Sequence, residues 1–530
     1  MRRRLAELAL PSSVPARGRL RRRLATFTTA LLMVGVVGTG CAGPDSEWVA
    51  PRAAATPGTG SAAPNGGAPT WTDCSDVARN LLNGVPRGIT YQCATIKVPQ
   101  DWTADNGETF DIALLRARSS RQTDRIGSLL INPGGPGGSG VDYAVYLSQL
   151  PQLNSRFDVV GFDPRGVGRS TQVKCMTDAQ LDTLFGYDPD PVAKADFDTF
   201  VAVNREVSDA CSAKYGESLR LFSTVQTARD MDAVRKAVGD EKTTYLGYSY
   251  GTLLGAVYAH LFPTNIRALV LDGAIDPTEQ AESRSEGQAR GFERAFNNFA
   301  EWCGQTPVSC PVAPDPRAVV QEQLAAARTA PKAGAGGRQA TPGWIFTAVV
   351  ASLYVKDDWE KLARALDDLR DGDTTGIFTL ADGYAERDQN GHYTNLFDAN
   401  TAVNCTDYET YPTLERIRAL QSDWRKKYPL FGAGLAMGMV NCAVWPTKHD
   451  PYPVGAAKGS PPIVVVGTKG DPATPYEQAP KLADVLGTGV VLTWNGEGHT
   501  AYPQTICITQ AVNNYLINLR VPAKGTVCPA

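Results

Sequence analysis

A serine flanked by glycines stands where a strand-like run of apolar residues gives way to a helix-forming run. Gly247, Ser249 and Gly251 form a G-x-S-x-G pattern, and residues 252–261 follow it as a helix-forming segment. A sharp strand-to-helix turn brings strand and helix so close that side chains at the two glycine positions would clash. Such a turn lifts the serine hydroxyl clear of the sheet, at a helix N-terminus. The pattern predicts that Ser249 is a nucleophile.

A serine hydroxyl needs a general base near neutral pH, and the sequence offers four histidines. His499 lies in a short loop directly after a predicted strand, where the chain turns back over the sheet edge. His260 falls in the helix after the serine and should point away from the turn, whereas His392 and His449 fall in loops of a separate helical segment. We therefore predict that His499 is the base. The alternative is a surface-loop histidine without a catalytic role.

The base in turn needs an acid that fixes its tautomer and stabilises the imidazolium ion. Asp471 follows an apolar run that ends at the carboxyl end of a predicted strand, 28 residues before His499. This spacing leaves room for one helix and one strand. The order serine, aspartate, histidine along the chain is that of the α/β-hydrolases. Two other interpretations stay open: Asp471 as a turn or helix-cap residue, and Asp272 or Asp276 as the acid.

Donors for a negatively charged tetrahedral intermediate are expected from the backbone. The amide of Tyr250, next to the nucleophile, is one candidate. The second should come from the glycine-rich run 132–140 after an earlier strand, with Gly135 as first choice and Gly134 as second. Phosphate binding is the alternative for a glycine-rich run, but the G-x-x-x-x-G-K-[ST] motif does not occur.

Strand-like and helix-like segments alternate on either side of a long helical segment. The predicted strands are residues 110–117, 127–131, 157–162, 266–271, 462–467 and 490–494. This alternation favours an α/β fold with a mostly parallel sheet covered by helices on both faces. Between 278 and 459 the patterns are helical. We predict a core built from residues 70–277 and 460–530, with a helical cap, 278–459, inserted into it.

The N-terminus is typical of an exported bacterial protein. Residues 1–23 contain eight arginines and one glutamate, a short apolar stretch follows, and Cys41 comes after small residues. This is a signal peptide or lipoprotein leader over 1–41, with Cys41 as the candidate lipidated residue. A leader cleaved near Ala42, or an uncleaved anchor, is the alternative. Residues 42–69, rich in Ala, Gly, Pro, Ser and Thr, predict a flexible linker.

Charge and cysteine content restrict the partners. Without the leader, 44 basic and 54 acidic residues remain, a net charge of −10, which argues against nucleic acid as a partner. We predict a monomer without cofactor. No C-x-x-C or H-x-x-x-H occurs, so no metal site is predicted.

Ten cysteines after Cys41 predict five disulfides. Our hypothesis is nearest-neighbour pairing: Cys74–Cys93, Cys175–Cys211, Cys303–Cys310, Cys405–Cys442 and Cys507–Cys528.

Several motifs together resemble those of proline iminopeptidases and, more closely, of secreted actinobacterial tripeptidyl aminopeptidases. They are Asn132-Pro-Gly-Gly-Pro-Gly137, Phe162-Asp-Pro-Arg-Gly-Val-Gly-Arg-Ser170, Gly247-Tyr-Ser-Tyr-Gly251, Asn404-Cys-Thr-Asp407, Gly470-Asp-Pro-Ala-Thr-Pro475 and Gly496-Glu-Gly-His499. The resemblance covers about residues 70–529. It implies an α/β-hydrolase core with a cap, and serine hydrolysis of peptides from a free N-terminus. It also implies Ser249 as nucleophile, Asp471 as acid and His499 as base.

An aminopeptidase must also bind the ammonium group of its substrate. Asp407 is our candidate for this contact, by a charge-assisted hydrogen bond, with a loop or helix-capping aspartate as the alternative. Thr474 is a candidate donor to Asp471. The expected function is an exported, lipid-anchored serine exopeptidase acting on peptide or protein N-termini. A carboxylesterase or lipase with the same triad is the second hypothesis, and a non-catalytic binding protein on this scaffold is the third.

Overall fold

The computed structural model describes residues 68–104 and 106–530. The predicted leader 1–41, Cys41 and residues 42–67 of the predicted linker lie outside the described residues. None of the helices in the described part of the chain is long and apolar enough to cross a membrane.

A large twisted sheet forms the centre of the molecule. The strands among the described residues are β1 (Thr72–Asp73), β2 (Ile89–Pro99), β3 (Thr109–Ser119), β4 (Gly127–Asn132), β5 (Phe157–Phe162), β6 (Thr243–Tyr248), β7 (Ile266–Asp272), β8 (Lys332–Ala333), β9 (Gln339–Ala340), β10 (Ile463–Gly470), β11 (Gly489–Glu497) and β12 (Val527–Cys528). Their order in the main sheet is β1-β2-β3-β5-β4-β6-β7-β10-β11-β12, and β8 and β9 form a separate hairpin. In this order the pairs β1–β2, β2–β3 and β3–β5 are antiparallel. Every further pair, from β5–β4 to β11–β12, is parallel.

Helices cover both faces of this sheet and build the cap. They are α1 (Ser75–Leu82), α2 (Gly140–Leu147), α3 (Pro151–Asn154), α4 (Asp178–Gly186), α5 (Lys194–Tyr215), α6 (Thr224–Ala237), α7 (Tyr250–Leu261), α8 (Ala281–Gln305), α9 (Pro316–Thr329), α10 (Pro342–Leu353), α11 (Trp359–Asp371), α12 (Thr375–Ala385), α13 (Leu396–Asp407), α14 (Leu414–Lys427), α15 (Gly432–Met437), α16 (Val440–Ala443), α17 (Gln478–Leu486) and α18 (Ile506–Asn518). The ten-stranded, mostly parallel sheet with helices on both faces confirms the predicted α/β class.

Neighbouring residues of the central strands pack into different apolar clusters, as alternation along a strand requires. Tyr245 of β6 and Val465 of β10 belong to one buried cluster. Leu246 and Val464, their neighbours in sequence, belong to another on the opposite face. Because both faces are covered, these strands are apolar at nearly every position, which is why their runs stand out in the sequence.

The cap draws on more of the chain than the segment 278–459. Helices α4 and α5 fall within the predicted first part of the core, yet Leu181 and Val207 on them pack in one apolar cluster with Phe296 and Trp344. Phe197 of α5 packs with the α14 and α15 region. The structure thus adds a second, earlier chain segment to the cap.

All ten cysteines that follow Cys41 form disulfides, in the nearest-neighbour pairing expected from sequence. Five such bonds indicate a protein that matures in an oxidising compartment.

Candidate active site

Ser249 occupies a strained turn between β6 and α7. Its backbone has φ 53° and ψ −120°, a region that residues with a side chain rarely adopt. A Cβ at Gly247 would lie only 2.4 Å from the carbonyl oxygen of Gly251, so the strand and the helix meet where no side chain fits. The Ser249 N–H donates to the carbonyl of Asp272 at 2.8 Å and fastens the turn to β7. This is the geometry that the G-x-S-x-G pattern predicts.

Asp471 is the first residue after β10, and its carboxylate is fully buried. The amides of Ala473 and Thr474 donate to Oδ1 at 2.9 and 2.8 Å. The Thr474 hydroxyl donates to Oδ2 at 2.9 Å, and the Thr500 amide donates to the same oxygen at 3.3 Å. These donors hold the carboxylate in one orientation and compensate for the loss of its hydration.

His499 lies in the loop after β11 and faces this carboxylate. Its Nδ1 is 2.9 Å from both Oδ1 and Oδ2 of Asp471. Because an ionised carboxylate only accepts hydrogen bonds, Nδ1 carries the proton and Nε2 of the neutral ring carries the free lone pair. The cap also holds this loop: the His499 N–H donates to the Tyr354 carbonyl at 2.8 Å, and the two rings meet edge to face with centroids 5.2 Å apart.

Ser249 and the imidazole of His499 both lie next to the end of β7, where Asp272 and Gly273 follow one another. Ser249 binds the carbonyl of Asp272, as described above. A Cβ on the next residue, Gly273, would lie 3.2 Å from Cε1 of His499. The hydroxyl of Ser249 has no hydrogen-bond partner in the part of the chain that the structure describes.

The glycine-rich loop after β4 packs directly on the elbow. A Cβ at Gly134 would lie 2.9 Å from Cβ of Ser249 and 3.3 Å from the amide nitrogen of Tyr250. The Gly134 N–H donates to Oδ1 of Asn132 at 2.9 Å and is occupied. The Gly135 N–H has no such partner among the described residues. The Tyr250 N–H, first in its helix, has no partner within that helix.

The rival residues have other partners. Asp272 accepts the amides of Ala501 and Tyr502 at 3.0 and 2.7 Å, so it supports the loop just after His499. Burial raises the pKa of Asp272 to about 7. Asp276 accepts the hydroxyl of Thr278 at 2.7 Å and forms part of a turn.

The other histidines also lie elsewhere. Nδ1 of His260 is 3.1 Å from the Ala456 carbonyl, Nδ1 of His392 is 2.9 Å from the Asp178 carboxylate, and Nδ1 of His449 is 3.1 Å from the Cys405 carbonyl.

Asp407 is buried at the C-terminal end of α13, behind the elbow. Its Oδ1 accepts the Thr224 amide at 2.8 Å, and its Oδ2 lies 2.6 Å from the Thr224 hydroxyl. That hydroxyl lies 2.7 Å from the Tyr250 hydroxyl, so Asp407 reaches the residue after the nucleophile through one intermediate. Burial raises the pKa of Asp407 to about 7, while Thr224 and the nearby Arg284 act in the opposite direction.

Sequence reasoning missed two residues that hold this site together, Tyr354 and Thr224. Tyr354 acts through its backbone carbonyl, which no side-chain pattern can reveal. Thr224 sits at a helix start, where a threonine has an ordinary explanation as a capping residue.

The arrangement places a serine on a strained turn, an imidazole oriented by a carboxylate, and two backbone N–H groups that have no partner among the described residues. Such a set is suited to acyl transfer through a tetrahedral intermediate. Among residues 68–104 and 106–530 no group of three or more His, Cys, Asp or Glu side chains is placed to hold a metal ion.

Comparison with known proteins identifies relatives along most of the chain. A family model described as TAP-like protein matches residues 428–528. Serine protease Hip1 of Mycobacterium tuberculosis is 37% identical over 489 residues, which cover 86% of this chain and 90% of that protein. Carboxylesterase B of the same species is 36% identical and covers 90% of this chain and 92% of its own length. Tripeptidyl aminopeptidase of Streptomyces lividans is 30% identical and covers 86% of each.

Each of these relatives matches 86–90% of the chain at 30% identity or more. The chain is therefore a serine hydrolase of the tripeptidyl aminopeptidase-like family of α/β-hydrolase peptidases.

Proposed function

We propose that the protein is an exported serine exopeptidase that releases short peptides, tripeptides in particular, from free N-termini. One observation carries this proposal: the Asp471–His499 pair, with both carboxylate oxygens at 2.9 Å from Nδ1, stands beside the strained turn of Ser249. The identity to a relative named tripeptidyl aminopeptidase supports the choice of substrate.

The chemistry proceeds in two acyl-transfer steps. Nε2 of His499 takes the proton of the Ser249 hydroxyl as Oγ attacks the scissile carbonyl, and Asp471 stabilises the imidazolium ion. The amides of Tyr250 and Gly135 receive the oxyanion. The imidazolium then protonates the leaving amine, which departs as the shortened peptide. Water, deprotonated by the same imidazole, attacks the acyl-enzyme and releases the N-terminal fragment.

Recognition of the free N-terminus requires a carboxylate, and we keep Asp407 as the candidate. It is a buried acid two hydrogen bonds from the Tyr250 side chain. An ammonium group would have to share oxygens that already accept from Thr224. Export follows from the predicted leader and from the five disulfides, and a lipid on Cys41 would hold the enzyme at the membrane surface, where it acts as a monomer.

The test uses the mature protein and two chromogenic tripeptide anilides, one with a free N-terminus and one acetylated. The proposal expects cleavage of the free substrate alone, and no turnover by Ser249→Ala, whose thermal unfolding should match that of the wild type. Equal cleavage of both substrates would exclude an exopeptidase.

The relative named Carboxylesterase B supports a second candidate, an esterase with the same triad. The same triad hydrolyses both esters and amides, and esters are the easier substrates. The two functions therefore differ in the residues that bind the acyl part of the substrate. Rapid turnover of a short acyl ester, with cleavage of neither anilide, would select the esterase.

A further inference from the structure

A cavity of about 220 Å³ lies inside the cap, between its two chain segments. One wall comes from the earlier segment, including Met176 and Leu184 beside and within α4. The opposite wall comes from the later segment, including Phe346, Phe397 and Trp445. The catalytic groups described above do not line this cavity.

The lining is mostly apolar and carries no uncompensated charge. The one acidic side chain in it, Asp188, accepts a bidentate ion pair from Arg328, with distances of 2.6 and 3.1 Å. A neutral apolar group is therefore the favoured occupant. The volume is below the roughly 300–1,000 Å³ of sites that enclose a whole small molecule, and it suits a single large side chain.

One helix connects this cavity to the catalytic edge of the sheet. Phe397 and Thr401 of α13 line the cavity, while Asn400, between them, donates to the Pro136 carbonyl of the glycine-rich loop at 2.9 Å. A Cβ at Gly137 of that loop would lie 2.4 Å from the Leu396 carbonyl oxygen. The cavity wall therefore lies about one helix diameter, ~10 Å, from the proposed oxyanion donors. Three extended residues span about the same distance.

Aromatic rings make a second connection. The ring centroid of Phe397 is 6.1 Å from that of Tyr384, which is 5.6 Å from that of Tyr354. Tyr354 in turn packs on the imidazole of His499. The rings of Phe397, Tyr384 and Tyr354 thus connect the cavity wall to the imidazole of His499 by direct packing.

Two disulfides hold the cavity walls in place. Cys175, next to Met176, is joined to Cys211 of α5, and Cys442, next to the lining residue Asn441, is joined to Cys405 of α13. A cavity whose walls are crosslinked keeps its shape, so binding an apolar side chain in it requires little reordering.

From these observations we infer that the cap cavity is a specificity pocket for a large apolar side chain of the released peptide. The side chain belongs to the second or third residue before the scissile bond. Asn441, whose side chain lacks a hydrogen-bond partner among the described residues, would contact the peptide main chain at the entrance of the pocket. The inference rests on the proposed peptidase function.

The test fills the cavity by Thr401→Phe. A set of free tripeptide anilides carries glycine, leucine, phenylalanine or tryptophan at the second and third positions before the scissile bond, and an acetyl ester reports on the triad. Wild type should prefer leucine or phenylalanine over glycine at one of these positions by about tenfold or more in kcat/KM. Thr401→Phe should abolish that preference and leave cleavage of the all-glycine peptide and the ester within about threefold.

Thr379→Phe, the same exchange at an exposed position of α12, is the matched control and should leave the preference intact. Phe346→Ala enlarges the cavity and should shift the preference toward tryptophan. Intact ester turnover shows that each variant folds. An unchanged preference in both cavity variants, with tripeptides still cleaved, would overturn the pocket alone. Failure of the wild type to cleave any tripeptide would overturn the peptidase function and the pocket together.

Discussion

Two aspartates at the ends of neighbouring strands show how local surroundings divide the roles of equal side chains. Asp471, after β10, accepts hydrogen bonds from the imidazole, three amides and a hydroxyl. Asp272, at the end of β7, is equally buried, but its partners are backbone amides of the loop after His499. The first can orient a base, whereas the second supports the loop that carries it.

Replacement of Asp471 should therefore remove most of the activity. In Asp471→Asn the side-chain amide can favour the wrong tautomer of His499, and we expect kcat to fall by about 10⁴-fold while the protein stays folded. Steady-state kinetics on a free tripeptide anilide measures this loss. Asp276→Asn is the matched control and should stay within about twofold of wild type. A similar loss in both variants would contradict the assignment of the acid.

Asp407 should make stability depend on pH. Its pKa is raised to about 7 in the folded protein, so the folded state keeps a proton that the unfolded chain releases near pH 4. The free energy of unfolding of the wild type should therefore fall, relative to Asp407→Asn, as the pH rises from about 4 to 7, and the difference should be constant above that range. Urea unfolding of both proteins at pH 5, 6, 7 and 8 measures it. A free energy of unfolding of the wild type that rises relative to that of Asp407→Asn over this pH range would contradict the raised pKa.

At the scale of elements, the sequence predicts the strands and helices that are determined by local patterns of apolar residues. Strand β5 was predicted at its observed bounds, and β4, β7 and β10 within a few residues, because strands buried on both faces are apolar runs. The sequence does not predict strand β2, since only three of its eleven residues are buried and no apolar run marks it. The sequence indicates Ser249, Asp471 and His499 as candidates because each follows a strand end, in a fixed chain order. The position of α4 and α5 in the cap depends on partners more than 100 residues away, which no local pattern contains.

The close approach of the glycine-rich loop to the elbow gives a prediction at this scale. Gly134 has φ 101°, and its added Cβ would lie 2.6 Å from the Tyr248 carbonyl oxygen. Gly134→Ala should push the loop off the elbow and lower kcat by at least about 100-fold, the effect of losing an oxyanion donor. Gly107→Ala is the control, since Gly107 also has a positive φ, 73°, but open space around it. It should cost some stability and little activity; equal activity losses in both would contradict the role of the loop.

At the scale of the whole molecule, covalent crosslinks join parts of the chain that the sheet alone does not hold. The Cys405–Cys442 bond closes a loop of 37 residues within the cap, whereas Cys303–Cys310 closes one of 7. Crosslinking a longer loop restricts the unfolded chain more. The two bonds should therefore contribute unequally to stability.

Replacing both cysteines of a pair by serine tests this. Loss of Cys405–Cys442 should lower the free energy of unfolding by about 4 kcal/mol, and loss of Cys303–Cys310 by about 2 kcal/mol. Denaturant unfolding of the two double variants and the wild type, under non-reducing conditions, gives the comparison. The reverse order would show that native-state packing, and not loop length, determines the contributions.

The pairing of β7 with β10 has a consequence for the order in which the molecule is made. The two strands are neighbours in the sheet, yet the cap separates Asp272 from Ile463 in sequence. At about 5–20 residues per second, a ribosome needs roughly 10–40 s to synthesise the intervening chain. Until then β7 is an unpaired edge that can aggregate. Asp471 and His499 follow β10 and are made only after that interval, so a nascent or truncated chain carries Ser249 without the two residues proposed to activate it.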